Sequence, residues 1–260
     1  MGDDDNDNYC SFERNGQRGF AARTDQARIV AALLDRANCE PVTAMGRGAL
    51  HRFPLKAGTA ILREYRRGGA IQRLLPEGSI RNRPLQEWEV LHRLYEADFP
   101  VPEPLGVLWR RRIGLVYGAI ATRELNATDL LSYLSTDAPS SSEYASILEL
   151  TGTAIRRMHD LGVYHADLHV GNILVSRTVD RVFIIDFDRA RSGAITPLQC
   201  ARNLLRLQRS FVKRGLRLTD FERIRRAYGP LAMPSWLEWA YGAKGSASDV
   251  LHRHSGKHVL

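Results

Sequence analysis

The sequence predicts an α+β chain in two parts, a small strand-rich first half of about 120 residues and a helix-rich second half. Three observations point there. Short β-compatible runs separated by glycine turns crowd residues 41–65 and 105–121. Apolar residues recur at helical spacing after residue 140. A polar stretch, Thr122–Asn126, separates the two textures. The expected boundaries are 1–122 for the first part, 123–127 for a hinge and 128–260 for the second.

In chain order, residues 1–23 are polar, acidic and then mixed, and are expected to be frayed. Thr24–Ala37 reads as a helix with Asp25 near its start and Ile29, Val30, Leu33 and Leu34 on one stripe. Pro41–Gly46, Ala49–Leu55 and Thr59–Tyr65 read as strands of a meander. Pro84–Ala97 is the main helix of this half, and Pro100, Pro102 and Pro104 impose an extended connector. Leu105–Trp109 and Leu115–Ala121 are two further strands around a basic turn, Arg110–Arg112. In the second half, Ser140 and Glu143 form a capping-box pattern before a helix carrying Ile147, Leu150, Ile155 and Met158. Strands Ile173–Val175 and Arg181–Ile185 follow. A helix opens at Pro197, and Thr219 with Glu222 forms a second capping-box pattern.

Composition narrows the function. The 260 residues carry a formal charge of +8, and all but four of the 37 basic residues are arginine. Such a surface suits anionic partners, although codon bias toward Arg also explains the ratio. Three scattered cysteines (Cys10, Cys39, Cys200) favour neither a disulfide framework nor a thiolate zinc site. No apolar run reaches the ~18–20 residues of a membrane span, and the acidic start is unlike a secretory signal, so a cytoplasmic location is expected.

The strongest motif is Tyr164-His165-Ala166-Asp167-Leu168-His169-Val170-Gly171-Asn172, followed by Ile185-Asp186-Phe187-Asp188. A phosphoryl transferase needs this set. One carboxylate (Asp167) accepts the attacking hydroxyl's proton, while an amide (Asn172) and a second carboxylate (Asp186) hold Mg²⁺ on the phosphates of ATP. Mg²⁺ takes hard oxygen ligands, which Asn and Asp supply. His165 reads as a hydrogen-bonded structural histidine. With these loops, the two-part pattern becomes an α+β, two-lobed protein-kinase-like fold with a small antiparallel-sheet N-lobe and a reduced helical C-lobe.

The first half supplies matching parts. Gly46 and Gly48 lie where a glycine-rich cover over ATP phosphates would sit, and equally where a simple hairpin turn would. Ala60-Ile61-Leu62-Arg63 matches the strand on which kinases keep a lysine, with Arg63 favoured over its rival Lys56, which is expected in a turn before Gly58. Glu87 is the best-placed acid to pair with it, against the alternative of a solvated helix acid.

Together these residues resemble the lipopolysaccharide-core kinases, specifically the 3-deoxy-D-manno-octulosonic acid (Kdo) kinases. The resemblance runs from about Gly46 to Arg209. It is carried by Gly46-Arg47-Gly48, Leu62-Arg63-Glu64-Tyr65-Arg66-Arg67-Gly68-Gly69, Gln86-Glu87-Trp88, Pro100-Val101-Pro102-Glu103-Pro104, the His165–His169 loop and Ile185-Asp186-Phe187-Asp188-Arg189. The chain departs from the usual pattern with His169 in place of Asn and Val170 in place of Ala or a similar residue. The resemblance implies ATP-dependent phosphorylation of the 4-hydroxyl of Kdo on a lipid A precursor, by a peripheral protein on the cytoplasmic face of the inner membrane. His169 then falls with Gly46, Gly48, Arg63 and Glu87 among the nucleotide-binding residues.

Only eight residues separate Asp188 from Pro197, too few for the activation segment with which a protein kinase presents a peptide. A small or lipid-linked hydroxyl is therefore expected as acceptor. Arg66, Arg67 and Arg73, with Arg81 and Arg83, are candidates to bind the acceptor's carboxylate and phosphates and the anionic membrane surface. The later set Arg202–Arg217 fits that role or a solvated helix face equally. Trp236, Trp239 and Tyr241 fit packing of the last helix better than an interface. An aminoglycoside-type phosphotransferase and a non-catalytic kinase-fold module binding anionic membrane or nucleic acid are the competing readings. The first usually has a larger helical acceptor domain and an acidic pocket. The second has no use for Asp167, Asn172 and Asp186 together. No aromatic-basic interleave of the kind that binds RNA is present, so no nucleic acid is expected, and no obligate protein partner is predicted.

Overall fold

The computed structural model describes residues 8–42, 50–65, 81–135 and 141–231. The chain divides into two compact units, residues 1–126 with 185–190, and residues 127–184 with 191–260.

The first unit is built on a seven-stranded antiparallel sheet. Its strands are β1 (Tyr9–Arg14), β2 (Gln17–Ala22), β3 (Glu40–Val42), β4 (Leu50–Pro54), β5 (Thr59–Glu64), β6 (Pro104–Arg112) and β7 (Leu115–Arg123), in the order β1-β2-β6-β7-β5-β4-β3. Helix α1 (Gln26–Leu34) follows β2, and α2 (Arg83–Glu96) precedes β6. Two glycines let the helices approach. A Cβ on Gly106 would stand 2.6 Å from Ile29 of α1, and one on Gly118 would stand 2.6 Å from Pro84 of α2. Gly118 pairs with Trp109, odd in number where Gly106 is even, so pleat alternation puts α1 and α2 on opposite faces of the sheet. On the α2 face Trp88 meets Tyr9 edge-on at 5.1 Å and stacks on Phe20 at 6.4 Å.

Several expectations are corrected here. The segment expected to be frayed forms the β1–β2 hairpin from Tyr9 onward, closed by Asn15-Gly16 with φ of 52° and 70°. Asn-Gly supplies the positive φ that a two-residue hairpin needs. The first helix is shorter than the periodicity suggests, and Asp25 does not cap it. Its carboxylate accepts from Arg28 and from the backbone N–H of Lys56 instead. Arg110–Arg112 lie in β6, and the turn is Ile113-Gly114. Thr122 and Arg123 complete β7 by pairing with Ile61 and Ala60.

The second unit contains β8 (Ala127–Asp129), α3 (Leu130–Ser135), α4 (Ser141–Asp160), β9 (Val163–Tyr164), β10 (Ile173–Ser176), β11 (Val182–Ile184), β12 (Arg191–Ser192), α5 (Pro197–Lys213) and α6 (Leu218–Tyr228). The strands form a three-stranded sheet, β11-β10-β8, and a two-stranded one, β12-β9. Thr196 and Gln199 cap α5 reciprocally. The expected Thr219/Glu222 box is not used: α6 begins at Leu218, with no side-chain cap from Arg217. Gly152 brings α4 against α6, where a Cβ would stand 2.2 Å from the Ile224 carbonyl. Ile147, Leu148, Ile155, Met158, Leu204, Phe211, Phe221 and Ile224 form the buried core. Cys10, Cys39 and Cys200 are free thiols.

Candidate active site

In the first unit, the cationic residue on β5 meets the acid on α2. Arg63 donates to Glu87, which is 4% exposed, and the Tyr65 hydroxyl donates to the same carboxylate oxygen. The Arg63 guanidinium also lies over the Tyr65 ring, 4.9 Å from its centroid. Burial pulls the Arg63 pKa down, but the Glu87 carboxylate and its neighbours more than offset this, and the net shift is upward. Burial first, then Glu87, hold the Tyr65 phenol well above its ordinary range, so it stays a donor. Lys56 is exposed in the β4–β5 turn.

Asp186 belongs to this unit. Its backbone sits at φ 65°, a left-handed conformation that Asp tolerates better than most residues. One carboxylate oxygen, Oδ1, lies 3.4 Å from Arg63 Nη1 and is buried without a hydrogen-bond partner. An orphaned buried carboxylate oxygen calls for a ligand. A hard divalent cation fits it by charge and donor type. Phe187 is buried beside it. Asp188 accepts from Arg83, with Nε to Oδ1 at 2.7 Å. Arg83, expected among the free acceptor-binding arginines, is thus committed to an ion pair.

In the second unit, the loop between β9 and β10 carries Asp167, His169 and Asn172. Its shape is set by short-range bonds. The Asp167 backbone N–H donates to His165 Nδ1 at 3.2 Å, and Gly171 N–H donates to His169 Nδ1 at 3.1 Å. Asn172 Nδ2 donates to the Asp167 carbonyl at 2.9 Å, which commits the amide nitrogen and leaves its oxygen to act as a hard donor. The Asp167 carboxylate is half exposed, with Arg206 Nη1 3.6 Å and His169 Nε2 4.0 Å away. His165 is buried, as a structural histidine would be.

Three residues of α5 spaced along one face hold this loop. Asn203 accepts from His165 N–H at 3.2 Å and donates to the His165 carbonyl at 2.6 Å. Arg206 reaches Asp167, and the Ser210 hydroxyl accepts from Val170 N–H at 3.2 Å. Because the carbonyl must face Nδ2, Asn203 Oδ1 also receives His159 Nε2 at 2.9 Å. His159 Nδ1 is then an acceptor for the Tyr228 hydroxyl at 2.9 Å. Burial lowers the His159 pKa. Sequence reasoning missed Asn203, His159 and Tyr228. The available signal was a lone Asn beside the apolar stripe of α5.

Gly46, Gly48, Arg66, Arg67 and Arg73 lie outside the described residues, as do Trp236, Trp239, Tyr241 and Ser140. Among the described residues no three or more His, Cys, Asp or Glu side chains gather as a metal-holding group.

The profile of the lipopolysaccharide kinase (Kdo/WaaP) family matches residues 40–228. A 3-deoxy-D-manno-octulosonic acid kinase of Xylella fastidiosa is 35% identical over 214 residues, covering 78% of this chain and 81% of the relative. The protein of that name from Actinobacillus succinogenes is 35% identical over 190 residues, covering 68% and 76%. Its counterpart in Vibrio cholerae is 36% identical over 178 residues, covering 66% and 73%. The match takes in β3 through α6 and with them Arg63, Glu87, Asp167, Asn172 and Asp186. The chain belongs to the lipopolysaccharide kinase (Kdo/WaaP) family and is a phosphotransferase.

Proposed function

We propose that this chain transfers the γ-phosphoryl group of ATP to the 4-hydroxyl of a Kdo residue on a lipid A precursor, in lipopolysaccharide core biosynthesis, with a two-lobed kinase arrangement. The observation that carries the reading is the set of relatives named as Kdo kinases, matched over 66–78% of this chain. The short connection from Asp188 to α5 supports a small or lipid-linked acceptor over a peptide.

Asp167 takes the proton of the attacking hydroxyl. Its half-exposed carboxylate is open to a substrate, and Arg206 and His169 help keep it oriented. Asn172 and Asp186 are the Mg²⁺ ligands: one amide oxygen turned free by the Asp167 carbonyl, one carboxylate oxygen left without a hydrogen bond. The metal, when bound, offsets charge on the β- and γ-phosphates during transfer. Arg63, held by Glu87, binds phosphate, and its planar fork replaces the point charge of a lysine. Gly46, Gly48 and His169 are assigned to the nucleotide, and Arg66, Arg67 and Arg73 to the acceptor's carboxylate and phosphates. Among the described residues no helix is long and apolar enough to cross a membrane. A peripheral position on the cytoplasmic face of the inner membrane suits the lipid-linked acceptor.

The test is ATP consumption by purified protein with Kdo-bearing lipid A precursor, free Kdo or an aminoglycoside. Turnover should be fastest with the lipid-linked acceptor. Preference for the aminoglycoside would reject the assignment.

A further inference from the structure

We infer that the tip of the β6–β7 hairpin is a docking element for an anionic lipid surface, with Ile113 inserting and Arg111 and Arg112 binding headgroup phosphates. The surface deepens the peripheral placement proposed above and does not depend on which acceptor is phosphorylated.

The sheet contains its own control. The β1–β2 and β6–β7 hairpins both turn on two residues with positive φ: Asn15 at 52° and Gly16 at 70°, Ile113 at 49° and Gly114 at 74°. That geometry selects Asn-Gly, and the first hairpin has it. The second puts a β-branched residue at the left-handed position, where such a residue is a marked outlier. Packing does not explain the choice, because Ile113 is 91% exposed. The folded chain gains nothing from this side chain, and a better turn residue is in use elsewhere in the same sheet. An apolar partner outside the chain is the remaining reason for an isoleucine there.

Charge says what kind of partner. Residues 110–114 are exposed in one run, and three of them are consecutive arginines. Elsewhere in the sheet most arginines are matched: Arg18 with Glu13, Arg52 with Glu124, Arg63 with Glu87 and Arg123 with Glu103. Among the described residues Arg111 and Arg112 form no ion pair, and Arg110 makes only a cation–π contact with Tyr117, 5.6 Å from the ring centroid. The registers Arg18↔Trp109 and Arg112↔Leu115 put both hairpin tips at the same end of the sheet, so Arg14 adds to a basic rim, while Arg18 there is paired with Glu13. A single apolar side chain ringed by unpaired arginines is complementary to phosphate headgroups over an acyl layer. A protein interface would offer a larger apolar core.

The test is co-sedimentation of the full chain with phosphatidylglycerol–phosphatidylcholine vesicles that contain no Kdo lipid, against pure phosphatidylcholine vesicles. The parent should bind the anionic vesicles and lose most of that binding in 0.5 M NaCl. Ile113→Asn restores the preferred turn residue, so its melting temperature should equal or exceed the parent's while vesicle affinity falls about tenfold. Arg111→Gln with Arg112→Gln should weaken binding about 5–30-fold. Turnover with a soluble acceptor should be unchanged in both. Parent-like vesicle binding by Ile113→Asn, or a lowered melting temperature, overturns the proposal. So does loss of self-association in sedimentation velocity with vesicle binding retained, which would assign the tip to a contact between copies of the chain.

Discussion

The Arg63–Glu87 pair can be dissected by a double-mutant cycle. Glu87→Ala removes a carboxylate that is 4% exposed and receives both Arg63 and Tyr65. At an effective dielectric near 20, unit charges ~4 Å apart attract by about 4 kcal/mol, and stranding one member of a buried pair costs ~3–5 kcal/mol. For a chain of this size each 1 kcal/mol moves the melting temperature by ~2–4 °C, so Glu87→Ala should melt ~6–20 °C below the parent. Arg63→Met strands the opposite charge and should cost a comparable amount. The double variant strands neither member of the pair, so its loss of stability should be smaller than the sum of the two single losses, with a coupling of ~2–3 kcal/mol by urea denaturation. A coupling under ~0.5 kcal/mol would refute the reasoning, because two independent surface groups would give that result. Asp186→Ala in the Glu87→Ala background, where Arg63 is still present, would then report the remaining interaction at Arg63 Nη1.

The other predictions bear on the catalytic and metal loops. Asn203→Ala removes three bonds from a fully buried position and takes away the amide partner of a ring N–H, a backbone N–H and a carbonyl. At ~1–3 kcal/mol for each stranded group, it should unfold near or below room temperature, as differential scanning fluorimetry would show. His159 has its pKa lowered in the fold from about 6.5, so below that pH the unfolded chain binds a proton that the folded chain refuses. Stability from this residue is therefore full above pH ~6.5 and declines as pH falls toward the depressed value, by up to ~1.36 kcal/mol per unit. Urea titrations from pH 5 to 8 should show the slope in the parent and a flatter one in His159→Asn. Asp186→Ala should abolish Mg²⁺-dependent nucleotide binding by calorimetry, and unchanged affinity would remove Asp186 from the metal set.

What the sequence reveals divides along contact range. Asp167, His169 and Asn172 fall within six consecutive residues, and the bonds that shape their loop span two to five positions, so the motif is legible as written. Helices α1, α2, α4 and α5 are legible from apolar spacing, because burial of one face sets that period, whereas the short α3 is not. The β1–β2 hairpin was hidden by its polar, acidic surroundings, although Asn15-Gly16 was a turn signal in plain view. The true turn of the β6–β7 hairpin was hidden because Ile113 is not a turn residue. Asn203 acts on His165 across 38 positions and on His159 across 44, and Arg83 meets Asp188 across 105. No local pattern announces such pairs. A run of arginines looks uniformly available until the fold assigns acids to some of them, as it does for Arg83 and Arg206.

The most direct test of the central claim is the position of the transferred phosphate. Purified protein is incubated with Mg-ATP and a Kdo-bearing lipid A precursor, and the product is examined by phosphorus–proton correlation NMR. The account predicts one new phosphomonoester coupled to the proton on carbon 4 of Kdo. It also predicts ~10²–10⁴-fold slower formation of that product by Asp167→Asn, which folds but cannot accept the hydroxyl proton. Phosphate on another hydroxyl, or undiminished turnover by Asp167→Asn, would contradict it.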